Sequence, residues 1–120
     1  MKLEKQCCNL EYADKLKKLG VEQKSLFYHT HSKWGVMPKK SIDFTGNPTS
    51  AYTCAELVQM CGNTYAIEFD EKHQRFYSGS AVNNDVVCYE TLSNALAAKL
   101  IKAIENDCIS VDRVNKRLLL

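Results

Sequence analysis

The chain has 120 residues, of which 45% are hydrophobic and 25% charged. That composition is too apolar for an intrinsically disordered segment, and a chain of this size buries about two-thirds of its unfolded surface, enough for one domain with its own core. Sixteen basic residues against fourteen acidic ones leave a net charge of +2, which by itself is no polyphosphate-binding signature.

No apolar run reaches the roughly 18 residues needed to cross a bilayer, and the charged start Met1-Lys2-Leu3-Glu4-Lys5 leads into no signal-peptide core. The expectation is a cytoplasmic protein with no membrane partner. The six cysteines (Cys7, Cys8, Cys54, Cys61, Cys88 and Cys108) form no CxxC pair and are expected to be reduced thiols. Charge is unevenly spread. Residues 1–42 carry nine lysines against four acids, whereas residues 43–71 carry five acids and no base. A basic front beside an acidic middle suits complementarity within the molecule or between subunits at least as readily as an anionic ligand.

Asn9 is placed to cap a first helix bearing Leu10, Ala13, Leu16 and Leu19, with Tyr12 on its flank. Lys15, Lys17 and Lys18 suit the negative end of its dipole, and Gly20 stands where a left-handed residue ends a helix, with Val21 packing back on Leu16. Residues 25–31, aromatic and hydroxyl-rich, predict a strand. Residues 35–51 show no sustained period, carry Pro38, Gly46 and Pro48, and read as a long loop.

Thr53 and Glu56 form a capping box, stapled by Tyr52 and Leu57, for a short helix that stops at Gly62. Tyr65, Ile67 and Phe69 alternate onto one strand face, residues 70–73 turn the chain, and residues 74–78 return it as a hairpin. After a second turn over 80–85 comes a strand over 86–89. A last long helix starts near Thr91 or Ser93, with Leu92, Ala95, Leu96, Leu100, Ala103 and Ile104 on the core stripe, widened by Ala97, Ala98 and Ile101. Ser93, Asn94, Lys99, Lys102 and Glu105 are expected on its wet side, Asn106-Asp107 ends it, and Ile109, Val111 and Val114 predict a final extended or helical piece. The sum is a single α+β domain, a small antiparallel sheet of three to four strands packed against two or three helices.

Three segments carry a resemblance: the opening Asn9 to Tyr28, which contains Lys15-Leu16-Lys17-Lys18-Leu19-Gly20, then Tyr52 to Leu57, then Leu92 to Ile101. In this order they resemble a group of small phage- and prophage-encoded proteins that open with a KLKxLGxxQxSxFYW-like motif. After Tyr28 the aromatic continuation of that motif gives way to His29-Thr30-His31, and Trp34 arrives later. The resemblance implies phage or prophage origin and an accessory role directed at the host, such as antagonism of a defence component. It carries no catalytic residues.

The densest cluster of chemistry runs from Tyr28 to Trp34. His29 and His31 alternate onto one strand face, a spacing that can hold a metal if His73, a carboxylate or a cysteine supplies a third ligand. Solvated strand-face histidines are the simpler account of the pair, and the two-histidine phosphoesterase pattern fails because each hydroxyl stands one position early. Cys54, first after the Thr53 cap, is the candidate nucleophile, since a helix N-terminus lowers a thiol pKa. No Walker loop, GxSxG, GxGxxG or HExxH is present, and Glu68, Asp70 and Glu71 read as a charged hairpin tip.

Lys33, Trp34, Lys39 and Lys40 combine cations with a stacking ring, and Arg75 and Tyr77 on the hairpin extend a surface suited to single-stranded nucleic acid. Trp34, Met37, Ile42 and Phe44 are anchors for a partner or a tether to the core, and Leu118-Leu119-Leu120 is either a homo-oligomer surface or folded onto the sheet. The expectation is a non-catalytic binding protein without a cofactor. It holds a host protein or small ligand around Tyr28, His29, His31, Lys33, Trp34, Lys39, Lys40, Arg75 and Tyr77, with a nucleic-acid module and a thiol- or metal-dependent hydrolase as alternatives.

Overall fold

The computed structural model describes residues 3–30, 35–39, 48–62, 67–72, 74–78, 87–89 and 91–118. Helix α1 (Leu3–Gln6) precedes α2 (Leu10–Lys18). Asn9 accepts the Tyr12 amide through its side chain, as its position predicts, and Gly20 takes a φ of +100° just beyond the helix. Three short strands follow, β1 (Phe27–His29), β2 (Val36–Pro38) and β3 (Thr49–Ser50). Then come α3 (Cys54–Cys61), β4 (Ile67–Asp70), β5 (Arg75–Ser78), β6 (Val87–Tyr89), α4 (Leu92–Glu105) and α5 (Val111–Arg117). The α+β class is as expected, but the strands form two antiparallel three-stranded sheets, β2-β1-β3 and β4-β5-β6, instead of one.

The stretch expected as a loop therefore supplies both outer strands of the first sheet. Their two and three residues are too short to display a period, and pairing with β1 defines them: Tyr28 stands opposite Met37 on one side and Ser50 on the other. Pro38 withholds one amide from the β2 edge. The Gln23 side chain closes the β3 edge by accepting the Ser50 amide at 2.7 Å, and Lys17 Nζ reaches the Pro48 carbonyl at 3.1 Å.

The main core lies between α2, α3, α4 and α5, where Leu16, Leu57, Met60, Leu96, Leu100 and Val114 are fully enclosed. The capping box at Thr53 and Glu56 forms in full. At the other end of α3, Arg117 from α5 donates to the Met60 carbonyl at 3.1 Å and lies over Gly62, whose φ is +59°. A Cβ there would sit 2.5 Å from the guanidinium. A smaller cluster of Cys7, Val36 and Ala51, with Leu3 and Phe27 against it, covers one face of the first sheet.

One expectation about a helix face is corrected, and an alternative left open at the C-terminal leucines is narrowed. Ser93 is fully buried, its hydroxyl 3.0 Å from the Cys7 carbonyl and 3.2 Å from that of Lys5. The segment before α2 crosses the start of α4 and needs a donor there. Leu118 caps α5 and is buried in the main core, so it is no part of an exposed association surface; Leu119 and Leu120 lie outside the described residues. Among the described residues no helix is long and apolar enough to cross a membrane.

Candidate functional site

Strand β1 and the turn before it form a polar junction. Ser25 is buried and its hydroxyl meets the Glu56 carboxylate at 2.8 Å. The same carboxylate oxygen accepts the Thr53 amide at 2.9 Å and lies 3.1 Å from the Thr53 hydroxyl. Three donors converge on a carboxylate only 3% exposed, and its charge is thereby balanced by hydrogen bonds.

Alternation along β1 turns Tyr28 inward. Its hydroxyl donates to the Gln23 carbonyl at 3.2 Å and accepts the Ser25 amide at 3.3 Å. At 2% exposure Tyr28, a candidate binding residue by sequence, is placed in the core. Tyr52 donates through its hydroxyl to the Glu22 carbonyl, and burial raises its pKa above the ordinary tyrosine range.

His29 is half-buried, with Nε2 2.9 Å from the Cys8 carbonyl oxygen. Since a carbonyl only accepts, this nitrogen carries the proton and donates, so it has no lone pair for a metal in this geometry. Cys8 in turn donates its amide to the Tyr52 carbonyl at 2.9 Å. His29 thus clamps the segment between α1 and α2 onto the first sheet. Among the described residues no group of three histidine, cysteine or acidic side chains is placed to hold a metal ion.

Three of the thiols, Cys8, Cys54 and Cys61, are held against ionisation by burial. Burial pushes Cys8 up to about 12 and Cys61 up to about 11. Cys54, the candidate nucleophile, is half-buried, and desolvation raises its pKa too, opposite to what its place at the start of α3 predicts. Its sulfur points to the Gln6 carbonyl at 3.9 Å.

What remains open to solvent is the far end of the β1–β2 pair. The Lys39 amide donates to the Leu26 carbonyl at 2.9 Å, which extends the ladder by one step and sets these two residues opposite each other. Lys39 is exposed, and Leu26 at 62% is the most exposed large hydrophobic side chain among the described residues. With period-two alternation Leu26 falls on the side of Tyr28, and Lys39 on that of half-buried Met37. Lys24, two residues earlier, is paired with Glu22 at 2.9 Å, whereas Lys39 has no carboxylate partner among the described residues.

Arg75 is exposed on β5, in register with Asp70, and belongs to the other sheet. The structure does not bring it to Lys39. Tyr77 is placed by its backbone, opposite Glu68 and Cys88. His31, Lys33, Trp34, Lys40, Ile42, Phe44, Tyr65 and His73 lie outside the described residues. Two exposed features escape the sequence pattern. Leu26 reads as an ordinary strand residue, and only its place one step beyond β1 leaves it uncovered. The Phe69–Phe76 pair, ring centroids 4.9 Å apart, leaves Phe69 48% exposed because the two are register partners on one face of the hairpin. A cleft of about 290 Å³ lies between Glu22, Asp112, Asn115 and Lys116, but the Asn115 side chain there is spent on the Glu22 amide and the Gly20 carbonyl.

Set against protein-family models, curated proteins and solved structures, the chain matches none.

Proposed function

We propose that this chain is a non-catalytic binding protein, a phage or prophage accessory factor that acts in the host cytoplasm by gripping a host component. One observation carries the reading. In the Tyr28–Lys40 region the described groups with chemical potential, Tyr28 and His29, are engaged in holding the fold, while Leu26 and Lys39 at the same strand pair face solvent. Leu26 offers alkyl contact and Lys39 a cation, and among the described residues no nucleophile or general base stands between them. Phage origin is supported by the three resembling segments, of which Asn9 to Tyr28 and Tyr52 to Leu57 end or begin at the junction that supports this surface.

Co-purification from a phage-infected bacterial culture tests the reading when the wild type is compared with a Leu26→Asp/Lys39→Glu double variant. A component retained by the first and released by the second supports it. Substrate turnover abolished by His29→Gln or Cys54→Ser, with the fold intact, overturns it.

A second reading, a single-stranded nucleic-acid module, is favoured by the exposed Phe69 ring paired with Phe76. It predicts affinity that falls steeply with salt and is lost on Phe69→Ala.

A further inference from the structure

We draw no further inference here: the strongest candidate, the Phe69–Phe76 face of the β4–β5 hairpin, is an apolar face unpartnered among the described residues, and nothing in the structure shows what covers it.

Discussion

The two sheets of this molecule treat their polar and aromatic groups in opposite ways. In the first, side chains from distant segments close nearly everything: Gln23 seals the β3 edge, the Ser25 hydroxyl meets Glu56, Tyr28 turns inward onto Gln23, and His29 holds the Cys8 carbonyl. In the second, the Phe69–Phe76 pair leaves Phe69 half in solvent, and Arg75 is exposed on the opposite face of the hairpin. Tyr28 and His29 in the first sheet are therefore part of the fold's stability, whereas Phe69 in the second stands open to contact. The same residue types carry different meanings because a group already satisfied by the protein has nothing left to offer a ligand.

The sharpest way to break that comparison is a pair of aromatic truncations. Tyr28→Ala is expected to destabilise the protein by about 3–5 kcal/mol, the cost of emptying a fully enclosed aromatic site. Phe69→Ala, at a half-exposed ring, is expected to cost well under about 2 kcal/mol. Urea denaturation of both variants checks the contrast, and equal losses would dissolve it. Next in size, Glu56→Ala strands the Thr53 amide and the Ser25 hydroxyl and is expected to cost about 1–3 kcal/mol, with Thr53→Ala near the lower end of that range.

His29→Leu sharpens the first sheet's side of the comparison. It removes the donor to a carbonyl on fully buried Cys8, with an expected loss of about 1–3 kcal/mol in the same assay. A wild-type-like stability together with a lost activity would instead make His29 a functional group.

The thiols give a smaller and pH-dependent effect. In the folded state Cys8 and Cys61 hold their protons up to about 12 and about 11, above the ordinary thiol value of 9.0. A raised pKa favours the protonated folded form, so this stabilisation is fully present below pH 9 and is lost as pH rises through 11 and 12. Unfolding free energy is expected to fall between pH 9 and 11 on the order of 1 kcal/mol per pH unit for each thiol. Cys61→Ala, measured alongside, should flatten part of that slope. In the same preparation, thiol-reactive dye is expected to label exposed Cys108 at once and Cys8 and Cys61 only on unfolding.

The starts of α2, α3 and α4 were legible in the amino-acid order because their causes lie three residues apart: Asn9 reaches Tyr12, Thr53 reaches Glu56, and Thr91 reaches Asn94. The short α1 and the Ser110 cap of α5 were not read from it. The core stripe of α4 was legible for the same reason, as was the hairpin of β4 and β5. None of this needed knowledge of the rest of the chain.

Tertiary structure alone decided the site. Whether Tyr28 faced solvent depended on where β2 and β3 paired, and whether His29 was available to a metal depended on a carbonyl 21 residues earlier. Ser93 went inside because the Cys7 carbonyl, 86 residues away, required a donor. Leu26 stayed outside because it stands one step past the paired strand. Local order determined which segments coil and where they stop, since capping and periodicity act within a turn. Burial and the use of each polar atom were settled by contacts between segments far apart in the chain, and those contacts are what left the corner of Leu26 and Lys39 open.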